Sequence, residues 1–192
     1  MQHEVTTKPR PPRGFVVFKW LVYALLATNV GLYAWQGAAT EVVDTAAWVV
    51  LLLLFERETG GYVPLNTRQR ATVRAVRAAA GVAVAGACVA YAIAREWLDF
   101  ANALTWLFVV LALELEVRVG MHWRRFHRLR AAFAWLLYAA LAGFVVTWLV
   151  LGVGRVEGAW LDAWDATLWL AAFAVIELNV FGFATARSAA RP

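Results

Sequence analysis

Acidic residues recur at fixed positions inside long apolar stretches of this 192-residue chain. One set stands eight residues after a Trp in three places, and a second set follows two residues later: Glu56, Glu114 and Glu177, then Glu58, Glu116 and Asn179. A carboxylate in the hydrocarbon of a membrane costs several kcal/mol unless it is paired, protonated or hydrated. Both sets are therefore candidates for binding a proton or a cation.

These acids belong to a longer repeated pattern. Each copy has an acid, then Asp or Asn three residues later, then a Trp four residues after that, so that Trp48, Trp106 and Trp169 are equivalent. The Trp residues are 58 and 63 residues apart, which indicates a pair of helices used three times. Deep glutamates from three such pairs would meet near a pseudo-threefold axis, where their repulsion favours shared protons or a bound cation.

The residues that precede each Trp have a simpler interpretation. They stand at the expected starts of three helices: Glu41, Asp44, Asp99, Asn102, Asp162 and Asp165. Asp and Asn cap free backbone N–H groups there and complement the positive helix end, and we favour this role over an external ring that attracts cations. The three Trp residues lie one turn further in, at the depth where Trp anchors a helix to the membrane interface.

Neighbouring basic residues distinguish the deep glutamates from one another. Glu56 is adjacent to Arg57, which makes a local ion pair a candidate role for this acid. Glu114 lies one turn from Arg118 and has the same alternative. Glu177 has no such neighbour, since the next basic residue along the chain is ten positions away. Glu177 is therefore the strongest single candidate.

Long apolar blocks must position these acids. Hydrophobic residues make up 62% of the chain and charged residues 16%, unlike the composition of soluble domains. A helix of about 20 residues crosses the roughly 30 Å of hydrocarbon in a bilayer. The blocks predict membrane spans at residues 15–35, 42–58, 72–93, 98–118, 131–153 and 161–184.

The predicted fold is an all-α integral membrane protein with six transmembrane helices in three repeated hairpins, residues 15–58, 72–118 and 131–184. A single membrane domain, residues 15–186, lies between a basic N-terminal segment, 1–14, and a short tail, 187–192. The basic residues before the first span are also compatible with a cleavable signal peptide. The length of the apolar stretch and the repeat favour a retained helix.

Basic residues set the orientation. Sixteen of the 18 Lys and Arg fall on one side of the predicted spans, so both termini are expected in the cytoplasm, with the protein in the inner membrane if the source is bacterial. One basic loop is expected to contact anionic lipid headgroups through Arg124, Arg125, Arg128 and Arg130. The net charge of +5 is spread between spans, and no nucleic-acid partner is predicted.

Two functional classes fit these features. The first is a small cation or proton transporter or channel with the deep glutamates at its site. The second is a non-catalytic membrane subunit that docks lipids, a membrane-protein partner or a second copy of itself. No phosphate loop, dinucleotide fingerprint or nucleophile elbow occurs in the sequence, so neither an enzymatic activity nor a cofactor is predicted. His122 and His127 share no helix face and leave any metal site undefined.

The charge distribution yields a prediction about topology. Reporters fused to either terminus are expected to be cytoplasmic, and a reporter inserted near Gly158 is expected to be external, because basic loops are retained on the cytoplasmic side. Paired reporters, one active only outside the cell and one fluorescent only inside, measure this at each position. An external C-terminus would contradict the assignment.

Overall fold

The chain forms a bundle of helices. The computed structural model describes residues 13–36, 39–59, 65–119 and 127–177. The regular structure within those ranges is α1 Arg13–Gln36, α2 Ala39–Thr59, α3 Thr67–Ala94, α4 Trp97–Val119, α5 His127–Val153 and α6 Ala159–Glu177. The prediction of an all-helical fold with six helices is confirmed. Each helix begins one to five residues earlier than the hydropathy pattern indicated.

The surface of the bundle is suited to lipid. Among the described residues, three helical segments are long and apolar enough to cross a membrane: α1, α3 and Trp135–Val153 of α5. In α4, Trp97–Leu111 is apolar but shorter. Large hydrophobic side chains such as Val82, Ile93 and Leu136 point outward and are more than 60% exposed. The many exposed large hydrophobic side chains of the described residues support association with a membrane.

The helices pack in chain order as a closed ring. Each helix contacts the next one along the chain, and α1 closes the ring against α6. Side chains from five of the six helices fill the centre, among them Leu26 of α1, Leu52 of α2 and Leu141 of α5, all buried. Because the centre is a packed core, polar residues that reach it must find partners there.

Small side chains bring α3 close to both of its neighbours. Ala80 of α3 packs in one buried cluster with Ala47 of α2. Ala87 and Cys88 pack in another cluster with Ala103 of α4. Small residues allow helix backbones to approach each other closely in membrane proteins. Cys88 is a free, buried thiol and contributes to this packing.

Defined turns fix the ends of α3. At its start, the Asn66 side chain accepts a hydrogen bond from the Gln69 backbone N–H at 2.8 Å, and the Gln69 side chain accepts one from Asn66 in return. At its end, Arg95 adopts the left-handed conformation, with φ of 63°, and the Glu96 N–H donates to the Tyr91 carbonyl at 3.0 Å. The chain therefore reverses within two residues, which brings Tyr91 near the start of α4.

Gly152 is required where α5 approaches α6. A Cβ at this position would lie 2.9 Å from ring atoms of Trp160. We expect Gly152→Ala to lower the free energy of unfolding by about 1–2 kcal/mol, because the ring or the backbone must shift. Gly143→Ala on the same helix meets open space and should be neutral or stabilising by about 0.5–1 kcal/mol. Unfolding in detergent measures both variants, and equal effects would contradict the close approach.

Candidate functional site

The residues that precede the three Trp residues come together around one cavity of about 40 Å³, called here the acidic cavity. Three helices contribute them in pairs: Glu41 and Asp44 from α2, Asp99 and Asn102 from α4, Asp162 and Asp165 from α6. No basic residue in the described part of the chain lines this cavity. A buried water needs roughly 10–15 Å³ of such space, so about three waters or a small ion would fit.

The position expected for these six residues, at the starts of their helices, is right for only half of them. Three of them lie in the first turn of their helices, where an acid complements the positive helix end: Glu41, Asp99 and Asp162. The expectation is wrong for the other three, which lie more than one turn inside: Asp44, Asn102 and Asp165. The reason is that the helices begin earlier than their hydropathy indicated. These deeper side chains line the cavity together with the three first-turn acids.

The three repeated Trp residues form a layer one helical turn below the acids, called here the Trp triad. The ring centroids are 6.3 Å apart for Trp48 and Trp106, 6.2 Å for Trp48 and Trp169, and 6.1 Å for Trp106 and Trp169. Trp106 and Trp169 are buried, so the expectation of an interfacial anchor is wrong for them. The ring centroid of Phe173 lies 5.3 Å from that of Trp106, and this contact extends the aromatic layer away from the cavity.

Helix α1 binds the two acids of α6. The Asn29 side-chain amide donates to Asp165 Oδ1 at 2.7 Å, and the Tyr33 hydroxyl donates to Asp162 Oδ1 at 3.0 Å. Asn29 and Tyr33 are four residues apart and share one helix face, so both reach α6 together. Both are buried, with exposed fractions of 1% and 5%. Burial strengthens these hydrogen bonds and fixes where the carboxylates lie.

Sequence reasoning missed the aromatic residues that the other helices contribute. Tyr33 of α1, Tyr91 of α3 and Trp148 of α5 are buried and line the cavity beside the acids. A signal for two of them was present, because Tyr33 and Tyr91 are 58 residues apart, as are Trp48 and Trp106. Trp148 has no counterpart at the repeat spacing, and only the three-dimensional arrangement identifies it.

Several acceptor atoms at the cavity are buried without a hydrogen-bond donor. Among the described residues these are Oδ1 of Asp44 and Oδ1 of Asn102 in the lining, and Oδ1 of Asn29, whose amide contacts the lining residue Asp165. The indole groups of Trp48 and Trp169 lie close to Asp44 and Asp165 and stabilise the charge of these two acids in part. Each acceptor left over costs about 1–3 kcal/mol. A ligand that carries positive charge and donates hydrogen bonds would offset that cost.

Among the deep glutamates, Glu56 is described in full and has two partners. Lys19 Nζ lies 2.5 Å from Glu56 Oε1, and the Tyr23 hydroxyl donates to Oε2 at 3.4 Å. Lys19 and Glu56 are both buried. The adjacent Arg57, considered from the sequence as a partner, is exposed, because consecutive helical residues point in different directions. Glu56 therefore belongs to an ion pair between α1 and α2.

Glu58 also has a basic partner, on the next helix. The carboxylate of Glu58 lies 2.6 Å from Arg77 of α3, and both side chains are close to half exposed. A solvent-exposed pair of this kind adds little stability, because water and salt screen the charges. The two glutamates, two residues apart, thus point to different neighbours.

The other sequence candidates are described only in part. Helices α4, α5 and α6 include five of them, but their side chains lie outside the described part: Glu114, Glu116, Arg128, Arg130 and Glu177. Three more lie outside the described residues altogether: Asn179, Arg124 and Arg125. Convergence of the deep glutamates stays a prediction. No group of three or more metal-binding side chains in the described residues is arranged to hold a metal ion.

The buried pair of Lys19 and Glu56 makes a testable contribution to stability. We expect Glu56→Gln to cost about 3–5 kcal/mol of unfolding free energy, because it leaves the Lys19 ammonium buried without a counter-charge. The double variant Lys19→Met with Glu56→Gln should recover most of that loss. Glu58→Gln is the matched control and should change stability by less than about 1 kcal/mol. A double variant as unstable as Glu56→Gln alone would show that the pair does not act as a unit.

Comparisons with known proteins give no family for this chain. No family description matches it, and neither the curated proteins nor the solved structures contain a match. What the cavity does must therefore be inferred from its own geometry and chemistry.

Proposed function

We propose that this protein spans the membrane six times, binds small cations or protons in the acidic cavity and moves them across the bilayer. The observation that carries the proposal is the convergence of carboxylic acids from α2, α4 and α6 on one cavity with no basic residue in its described lining. Like charges held together away from bulk water repel strongly. Either protonation or a bound cation relieves that repulsion.

The proposed orientation places the acidic cavity on the external side. The turns next to the cavity carry Arg95 and Arg155, the two basic residues assigned to the external face by the charge distribution. From Asp44 to Glu56, helix α2 advances 12 residues, or about 18 Å. The proposed route leads from the cavity past the Trp triad to the level of Glu56, Glu114 and Glu177.

We also propose that the three helix pairs are copies around a pseudo-threefold axis. The three separations within the Trp triad differ by only 0.2 Å, as expected for equivalent residues around an axis. The equal spacing of Tyr33 and Tyr91 extends the repeat to the first helix of each of two pairs. Internal symmetry of this kind is common in transport proteins, where the binding site lies between the repeats.

The alternative is a non-catalytic membrane subunit that docks a partner. The observation in its favour is that both fully described deep glutamates have basic partners, Lys19 for Glu56 and Arg77 for Glu58. Under this alternative, the acids serve the packing of helices rather than transport. The acidic cavity distinguishes the two functions, because its carboxylates have no such basic partners among the described residues.

Flux through reconstituted vesicles tests the transport proposal. The wild-type protein should carry one or more monovalent cations or protons faster than empty vesicles do, as reported by dyes that respond to pH or to a specific cation. Asp44→Asn should lower that flux at least tenfold, because the amide keeps the shape of the side chain but holds no charge. The matched control is Glu157→Gln, which removes an exposed acid outside the cavity lining.

The same preparations separate the alternatives. Wild-type flux equal to that of empty vesicles, across several cations and in both directions of pH gradient, would contradict transport and favour the docking subunit. Flux that survives Asp44→Asn but disappears in Glu177→Gln would show that the acid essential for transport is Glu177, one of the deep glutamates, and not Asp44 in the cavity. Unfolding temperatures of all variants establish that each protein is folded in the vesicle.

A further inference from the structure

The lining of the acidic cavity combines acids with aromatic rings. Aromatic residues from five helices line it: Tyr33, Tyr91, Trp106, Trp148 and Trp169. The faces of Trp and Tyr rings attract cations, and the attraction is strongest for cations that have shed their water. A site for a metal ion surrounds the ion with oxygen ligands. Aromatic side chains add little to its affinity for a metal ion. The aromatic share of the lining therefore points to an organic or ammonium-type cation.

The unpartnered acceptors point in the same direction. Oδ1 of Asp44 and Oδ1 of Asn102, on two different helices, are buried and receive no hydrogen bond. Asn29 lies behind the lining rather than in it: its exposed fraction is 1%, its amide donates to the lining residue Asp165, and its own Oδ1 is also without a donor. Buried acceptors are normally satisfied by N–H or O–H groups. The cavity thus has a surplus of acceptors beside a surplus of negative charge.

We propose that the acidic cavity binds a small protonated amine, the ammonium ion or methylammonium. The inference rests on the proposed cation-binding function and names the class of cation. The N–H groups of the ligand would donate to Asp44 and Asn102, the carboxylates would balance its charge, and the aromatic faces would replace its water.

The size of the cavity limits the ligand. A volume of about 40 Å³ accommodates about three waters, at roughly 10–15 Å³ each. The ammonium ion is the size of one water, and methylammonium has two heavy atoms. Tetramethylammonium has five heavy atoms and no N–H donor, so it fails on both size and hydrogen bonding.

Equilibrium binding to the purified full-length protein tests the inference. The fluorescence of the lining Trp residues reports titrations with chlorides of ammonium, methylammonium, K⁺, Na⁺, Mg²⁺ and tetramethylammonium at constant ionic strength. Potassium is the critical comparison, because it has nearly the same radius as ammonium but donates no hydrogen bond. We expect ammonium to bind at least tenfold more tightly than K⁺, and tetramethylammonium not to bind.

Variants link the selectivity to the cavity. Asn102→Leu removes one buried acceptor and should reduce the preference for ammonium over K⁺ at least threefold. Glu157→Gln, outside the lining, should leave that preference unchanged. If Asn102→Leu proves unstable, a folded Asp44→Asn protein supplies a second test of the site, because loss of the charge should lower the affinity for every cation.

Each outcome has a separate consequence. Binding of K⁺, Na⁺ or Mg²⁺ as tight as that of ammonium would overturn the amine ligand while leaving cation binding intact. Tight binding of tetramethylammonium would overturn the size argument and with it this inference. Absence of any cation binding to a folded protein would overturn both this inference and the proposed function.

Discussion

The arrangement of this protein depends on the confinement of several carboxylic acids in one small space. Acids from α2, α4 and α6 surround the acidic cavity, and repulsion among them opposes the packing of the three helices. Two features counter that repulsion. Asn29 and Tyr33 of α1 donate to the acids of α6, and the indole groups of Trp48 and Trp169 lie close to acids one turn away and stabilise their charge. The contacts within the Trp triad hold the same three helices together immediately below the acids, by burial of large apolar surface.

Helix α1 satisfies acids at both of its ends, but by different chemistry. Near its start, Lys19 supplies a full positive charge to Glu56, so this acid is neutralised by the protein itself. About 15 Å further along α1 for Asn29, and about 21 Å further for Tyr33, these two side chains supply neutral hydrogen bonds to the acids of α6. Glu56 therefore needs no ligand, whereas the acids of the cavity have no basic partner in its described lining. This contrast is the physical reason to place cation binding at the acidic cavity rather than at Glu56.

The helical architecture could be predicted from the sequence, since long apolar stretches indicated the six helices that the described residues form. The roles of individual residues were harder to predict. Asp44 and Asp165 were expected to be caps because hydropathy does not locate the first turn of a helix; the helices begin two to three residues earlier. Trp106 was expected at the lipid interface, yet it faces the centre, and the linear pattern does not state which side of a helix meets its neighbours. Lys19 could not be paired with Glu56 from sequence, because the two are 37 residues apart and belong to no common motif.

The claim that the acids share one cavity can be measured by a double-mutant cycle on the free energy of unfolding. Asp44 of α2 and Asp165 of α6 repel each other if both line the acidic cavity, so neutralising one changes the effect of neutralising the other. The shared cavity predicts a coupling energy above about 0.5 kcal/mol between Asp44→Asn and Asp165→Asn, and additivity between Asp44→Asn and the exposed Glu157→Gln. Effects of Asp44→Asn and Asp165→Asn that add within about 0.3 kcal/mol would contradict the arrangement.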